Sequence, residues 1–254
     1  MRLNRVHIED PVGTQSQVIL DGTAANHVAR VLRLRTGQEI VLFDDSGSEF
    51  DAVIETILRD GVRVTITGHR DIGRESPLAI TLAQGVSRGE RMDFVVQKAT
   101  ELGVHRIVPV MMERTVVKLD DDQAEKRLRH WRAVAVAACE QCGRNRVPDI
   151  APPMELRDFL YGGVPASGAS PPDSPAASLR LVLDPGSKLR VRDLTSPPAG
   201  VTLLIGPEGG LADAELSAAL KAGYQGLQLG PRILRTETAA LAALTAIQLQ
   251  LGDL

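Results

Sequence analysis

Three short apolar runs in the C-terminal half of the chain close in the same way: RLVLDP (Arg180–Pro185), VTLLIGP (Val201–Pro207) and LQLGP (Leu227–Pro231). The last two lead into helical patterns that start near Asp213 and near Thr236. Parallel strands separated by helices bring their carboxyl ends to one edge of a sheet, where open α/β folds bind ligands. Three such loops on one edge could line a single pocket. The middle loop, GPEGG (Gly206–Gly210), has the glycines of a phosphate cradle but no following Lys-Ser or Lys-Thr, and the chain has no GxGxxG. Glu208 would also repel a polyphosphate. It could equally serve only to accept hydrogen bonds from the orphan amides at the next helix start. Glycines admit a ligand close to the backbone, and exposed peptide groups can read the edge of a neutral base. The loops therefore suit a nucleoside without phosphates, one that could carry a positive charge. S-adenosylmethionine meets that description.

Arginines are the second group able to do chemistry. Arg232 and Arg235 lie just before the last helical pattern, placed to grip an anion or a polarised carbonyl, or else to pair with Glu208 or Glu237. ARVLRLR offers Arg30, Arg33 and Arg35, and EQCGRNRVP offers Arg144 and Arg146 beside Glu140, Gln141 and Asn145. Arginine pairs phosphate bidentately and stacks on unpaired bases, so such clusters read as RNA contacts, against the alternative of a solvated face. The only two cysteines, Cys139 and Cys142, form a CxxC near the end of a helical pattern. With no second pair to complete a zinc site, and with a helix C-terminus that disfavours a thiolate, the structural reading is preferred.

The elements that must hold these residues differ between the two halves. Up to about residue 70 the chain reads as β, with EIVLFD, EFDAVIETI and GVRVTITG separated by DSGS and RDG turns, as in a small barrel or sandwich. One helix, TAANHVARVLRL, is predicted there, ending near Gly37. HRDIGRESP (69–77) reads as a linker and places a boundary between a domain at 1–74 and one at 75–254. Beyond it strand and helix alternate. LAITLAQ is a strand; SRGERMDFVVQKATELG offers a Ser87/Glu90 capping box, apolar Met92, Val95, Val96, Ala99 and Leu102 at helical spacing, and Gly103 as terminator. HRIVPV is the next strand, and a helix with an acidic start follows, from LDDDQAEK to Gly143. The Pro-, Gly-, Ala- and Ser-rich segment at 162–178 reads as a surface loop. In the last helix Leu241, Leu244, Ile247 and Leu251 form an apolar stripe, with Thr236 or Thr238 as its cap.

Composition narrows the function classes. With 254 residues, 43% hydrophobic and 24% charged, the chain can bury one large or two modest cores. It carries no apolar run long enough for a membrane span and no signal-like N-terminus, so a cytoplasmic location is expected. A net charge of -3 means that RNA binding would have to come from local patches. Aromatic residues at 3% argue against stacking platforms of the RRM or OB type.

Taken together, ANHVARVLRLRTGQEIVLFD, SRGERMDFVVQKATELGV, AACEQCGRNRVP, LLIGPEGGL and LGPRILRTETAALAALTA closely resemble the RsmE family of 16S rRNA uracil-N3 methyltransferases in the SPOUT superfamily. The resemblance implies an N-terminal PUA-like β-barrel for rRNA and a C-terminal α/β SPOUT domain with a mostly parallel sheet and a deep trefoil knot. It implies a homodimer, no metal, and S-adenosylmethionine held by Leu183, Ile205, Gly206, Pro207, Glu208, Gly209, Leu229, Gly230, Ile233, Leu234 and Thr238. Arg30, Arg33, Arg35, Arg88 and Arg146 become candidate RNA contacts. Arg235 or Arg144 could stabilise charge on the uracil carbonyls, and Glu140 or Glu208 could accept the proton. The chain departs from the family pattern at the Pro-rich insertion and at Ala212, where a Ser cap is usual. Two other readings stay open: methylation of another RNA atom such as a ribose 2'-hydroxyl, and a non-catalytic ribosome assembly factor.

Overall fold

The computed structural model describes residues 3–162, 178–195 and 199–254, so most of the Pro-rich segment lies outside the described residues. The chain divides into two units, one of Met1–Glu75 with Val136–Val147, the other of Ser76–Ala135 with Pro148–Leu254. A division at 74/75 does not contain the second segment of the first unit.

The first unit holds β1 (Asn4–His7), β2 (Gln17–Leu20), α1 (Gly22–Asn26), β3 (Glu39–Phe43), β4 (Ser48–Ile57) and β5 (Val62–Asp71). They form one five-stranded sheet in the order β1-β3-β4-β5-β2, antiparallel except for β1 beside β3. In β4 Phe50, Ala52 and Ile54 are buried while Glu55 to Ile57 are exposed, and two register shifts against β5 curl the pair. The buried side joins Val6, Leu20, Ile40, Leu42, Phe50, Ile54, Val62 and Val64. The predicted helix is shorter than its sequence pattern. It passes into a π-helical turn at His27–Val31, stops well before Gly37, and leaves Arg33 at φ 53°. Two of the five residues in that turn are β-branched valines, which favour α-helix less than unbranched residues. The predicted linker is also partly strand, since β5 runs to Asp71.

Charge holds residues 143–147 in this unit. Glu49, only 2% exposed, accepts from Arg5 and Arg74 and lies 3.3 Å from Arg70. Arg5 donates to the Arg144 carbonyl (2.9 Å) and to Asn145 Oδ1 (2.6 Å), and Arg74 to the Gly143 carbonyl (2.8 Å). Glu75 accepts from Arg144 Nε and Nη2 (2.9 and 2.6 Å) and from the amides of Asn145 and Arg146. Cys139 is buried, and its contact with the Cys142 thiol together with burial pushes its own thiol pKa up. A buried Cys139 thiol held protonated suits packing better than thiolate chemistry.

The second unit holds β6 (Ala79–Gly85), α2 (Glu90–Glu101), β7 (Arg106–Met111), α3 (Asp121–Cys142, which continues into the first unit), β8 (Asp149–Ile150), β9 (Met154–Glu155), α4 (Leu156–Tyr161), β10 (Ser178–Leu183), β11 (Gly200–Ile205), α5 (Asp213–Lys221), β12 (Gln225–Leu227) and α6 (Thr236–Leu251). Its sheet runs β12-β10-β11-β6-β7-β8, with β9 also on β7, and every pair is parallel. Buried on both faces, the strands carry near-continuous apolar runs. One side packs Val108, Val110, Phe159, Val182, Leu204 and Tyr224. On α2 Met92, Val95, Val96 and Ala99 are buried, and α2 packs on α6, whose buried seam is Ala240, Ala243, Leu244 and Ile247. Leu241 and Leu251 are only partly buried. The α2 terminus is fixed at Gly103 (φ 79°), where an added Cβ would lie 2.9 Å from Gln248 Nε2.

Two predicted caps form differently. Ser87 does not cap α2; its hydroxyl donates to the Gly85 carbonyl and Gly89 (φ 63°) occupies the N-cap. Ala212 replaces the usual Ser, yet the Glu215 carboxylate still accepts from the Ala212 amide (2.9 Å) and also from the Glu113 amide (2.8 Å).

Burial alone would raise the pKa of Glu49, but hydrogen bonds from Arg74 and Arg5 outweigh it and hold it below the usual carboxylate range. Its stabilisation is therefore present above that range and is lost as pH falls through the depressed folded value. Glu49→Gln should cost about 3 kcal/mol at pH 7, because a buried guanidinium loses its countercharge. Urea unfolding at pH 7 and at pH 3 should show a smaller difference between variant and wild type in acid.

Candidate functional site

Strand register places the three loops. Leu181, Val182 and Leu183 of β10 face Gln225, Gly226 and Leu227 of β12, while Leu181 and Val182 face Leu203 and Leu204 of β11. The loops after Leu183, Ile205 and Leu227 thus leave the sheet at one edge. The first and third are tied directly: the Asp184 amide donates to the Leu227 carbonyl (3.0 Å), the Ser187 hydroxyl to the Gly226 carbonyl, and Gln228 Nε2 to the Pro185 carbonyl (2.9 Å).

The middle loop is fastened at three points. The Thr236 hydroxyl donates to the Gly206 carbonyl (2.7 Å) and accepts from Gln84 Nε2 (2.9 Å). Thr236 is therefore the first residue of α6 and not its cap, a position Arg235 occupies. Glu208 Oε1 accepts from the Arg88 amide (2.9 Å) and from Arg91 (3.0 Å). Partial burial would raise the Glu208 pKa, but these hydrogen bonds prevail and hold it below the usual range. Its ionic partner is thus Arg91, and neither Arg232 nor Arg235 forms an ion pair among the described residues. Arg114 donates to the carbonyls of Gly209 (3.0 Å) and Leu211 (3.2 Å).

The glycines do two different jobs. A Cβ on Gly206 would meet Leu211 N at 2.8 Å, one on Gly85 would meet Pro207 N at 2.4 Å, and one on Gly209 would meet Arg114 Cβ at 2.8 Å. These three let the protein approach itself. Gly210 (φ 69°) and Gly230 (φ 144°) have open space where a Cβ would stand, and their backbone conformation is what requires glycine. Among the described residues, no amide of Leu229, Gly230 or Ile233–Arg235 donates to another backbone group. Among the described residues, the third loop therefore presents amides that no backbone acceptor takes.

The candidate donor-binding residues accordingly lie on one edge. Leu183 and Ile205 end their strands, Gly206, Pro207, Glu208 and Gly209 form the middle loop, and Leu229, Gly230, Ile233 and Leu234 form the third. Thr238 is exposed in the first turn of α6, beside exposed Arg235. Arg88 is exposed in the turn before α2. Arg30, Arg33, Arg35 and Arg146 are exposed in the first unit, the last donating to the Ser46 carbonyl (2.8 Å). Arg144 is 5% exposed and engaged by Glu75, and Glu140 accepts from the His7 amide (3.2 Å). Both sit in the framework of the first unit. A separate hollow of about 540 Å³ along α2 is lined by Glu90, Arg91, Asp93, Phe94, Gln97, Val134 and Glu237. Its three carboxylates, Glu90, Asp93 and Glu237, outnumber its one arginine and suit a polyanion such as RNA poorly.

An RNA methyltransferase domain model matches residues 74–248, and an RNA methyltransferase PUA domain model matches residues 20–67. Ribosomal RNA small subunit methyltransferase E of Buchnera aphidicola is 30% identical across 99% of this chain and 95% of its own. The chain belongs to the ribosomal RNA small subunit methyltransferase E family. The family member from Neisseria gonorrhoeae, solved bound to S-adenosyl methionine, superposes with a TM-score of 0.88 at 35% identity over 99% of both chains. A protein from Legionella pneumophila, solved with bound cofactor SAM, gives 0.90 at 39% over the whole of both. The resemblance to this family and the α/β class with its PUA domain are thus borne out.

Sequence reasoning missed Gln84, Arg91 and Arg114. Arg91 and Arg114 look like ordinary solvated arginines. Gln84 did leave a signal, as a lone amide at the end of an apolar strand. If the Glu208 carboxylate fastens the middle loop, Glu208→Ala should speed amide hydrogen exchange in a peptide spanning Ile205–Leu211 several-fold, with exchange in β6 and β7 unchanged.

Proposed function

We propose that this chain transfers a methyl group from S-adenosylmethionine to N3 of a uridine in 16S rRNA of the small ribosomal subunit. What carries the reading is the convergence of three in-register loops, one with free amides, on a single sheet edge, in a chain of this family. The residues fit the donor. Free amides of the third loop can read an adenine edge, apolar Leu183, Ile205, Leu229 and Leu234 can flank the nucleoside, and the middle loop carries no lysine for a phosphate.

When bound, the donor supplies a methyl group on a cationic sulfonium. Transfer would require the uracil imide to give up its N3 proton to solvent water, so that N3 could take the methyl carbon as its bond to sulfur breaks and that bond's electron pair stays on the neutral sulfur. Loss of that proton would leave negative charge spread over the uracil carbonyls until the methyl is taken. Arg235, exposed beside the third loop and without an ion-pair partner among the described residues, is assigned to stabilise it. Glu208 is held ionised and hydrogen-bonded, a weak base, so it is assigned to the loop and not to the proton. Arg144 and Glu140 are assigned to holding the first unit together. Exposed Arg30, Arg33, Arg35, Arg88 and Arg146 are assigned to RNA phosphates and unpaired bases. A paired uracil hides its imide, so a flipped-out base in a folded particle is the expected substrate form.

The active form is proposed to be a homodimer, and Ile233, 88% exposed beside the pocket, fits a position covered by a second copy. Sedimentation should give twice the chain mass, with Ile233→Glu shifting it toward the monomer. Nucleoside mass spectrometry of small subunits treated with protein and donor should find 3-methyluridine; a 2'-O-methylated nucleoside would redirect the assignment, and no methylation would favour an assembly factor. Arg235→Ala should lower the single-turnover rate on saturated substrate by about 10²-fold or more, and an unchanged rate would remove its role.

A further inference from the structure

Gln84 is a fully buried amide in a mostly apolar strand. It is completely buried at the end of β6, where its neighbours across the sheet are Ile205 and Pro109. A buried amide in a parallel sheet is costly unless its donors and acceptors are used. Its Nε2 donates to the Gly85 carbonyl (3.1 Å) and to the Thr236 hydroxyl (2.9 Å), and that hydroxyl donates onward to the Gly206 carbonyl (2.7 Å); its Oε1 has no hydrogen-bond partner among the described residues, so both donors are used and the acceptor is not. Thr236 is itself 6% exposed. A hydroxyl has one proton, so accepting from Gln84 commits that proton to Gly206. The order of donors is therefore fixed from the strand, through the first residue of α6, to the middle loop.

We infer that Gln84 and Thr236 are positioning residues for the methyl donor, setting the plane of the Gly206 peptide from behind the loop. The inference rests on the proposed donor pocket. Gly206 can be set this closely because nothing but backbone occupies the place of its side chain, with Leu211 N 2.8 Å from an ideal Cβ. Rotation of the 206–207 peptide would turn the adjoining loop and withdraw the surface that faces the nucleoside. The relay also reaches the third loop, since Thr236 directly follows Arg235 and fixes where that segment enters α6. Neither side chain needs to touch donor or RNA.

The test compares Thr236→Val, which is nearly isosteric but cannot donate, with Thr236→Ser, which keeps the hydroxyl. Calorimetry with S-adenosylmethionine should show affinity about tenfold weaker for Thr236→Val and near wild type for Thr236→Ser, as for one lost hydrogen bond at a carbonyl left without a donor. In steady state the KM for the donor should rise while the KM for small subunits stays within about twofold. Gln84→Leu should reproduce the Thr236→Val pattern; if Gln84→Leu does not fold, the Thr236 pair still decides. Donor affinity in Thr236→Val equal to wild type would overturn the inference, as would equal damage in the Val and Ser variants or an equal rise in both KM values. Wild-type protein that binds no S-adenosylmethionine would instead overturn the proposed function on which it rests.

Discussion

In-register parallel pairing of β12, β10, β11 and β6 is the constraint on which the rest of the site depends. Parallel strands share a direction, so their carboxyl ends fall on one edge, and the 181–183 to 225–227 and 200–205 to 79–84 registers decide which residues stand side by side there. A one-residue slip would invert every side chain on the moved strand. It would send Gln84 to the opposite face and break its bond to Thr236. The apolar cores on both faces, Phe159 and Tyr224 on one and Met92 and Ile247 on the other, hold that register.

Because the strands are locked, the loops can be locked as well. The middle loop has a positively charged anchor at each side, Arg91 on Glu208 and Arg114 on two carbonyls, and a neutral anchor behind it. The two arginine anchors are partly exposed and each contributes modestly. The neutral anchor is different in kind, since its donor Thr236 is 6% exposed and backed by fully buried Gln84, so losing it costs a Gly206 carbonyl its protein donor. Glu208 thereby answers the problem of a carboxylate in a loop shaped like a phosphate cradle. It faces the turn before α2 and fastens the loop, and the cradle is left to peptide groups.

The outline of this arrangement was legible in the sequence because its signals are local. The starts of α5 and α6 fall at Asp213 and Thr236, where apolar periodicity begins, and Gly103 closes α2 because only a positive φ fits there. What could not be read was every feature that depends on distant residues. Ser87 and Glu90 have the spacing of a capping box, yet the Ser87 hydroxyl goes to Gly85 and the Glu208 carboxylate takes the Arg88 amide. The segment 23–34, helical in its sequence pattern, holds only one turn of α-helix before a π-helical turn at His27–Val31. Arg144 reads as a ligand for RNA or uracil until Glu75 is seen to bind two of its nitrogens.

The same distinction separates residues that hold the molecule together from those left for substrate. In the first unit Arg5, Arg74 and Arg144 are bound by Glu49 and Glu75, so five charged side chains are spent on fixing the segment from Gly143 to Val147. Arg30, Arg33 and Arg35, by contrast, stand exposed, and Arg33 adopts a φ that a non-glycine residue takes only at some cost. Such a conformation persists where the surroundings impose it, here a π-helical turn whose Val28 is fully buried and whose Val31 is not. The turn thus converts core packing into a fixed presentation of arginines on a chain whose net charge is negative. Under the proposed function, attraction for RNA would depend on where those few arginines are held, not on how many the chain contains.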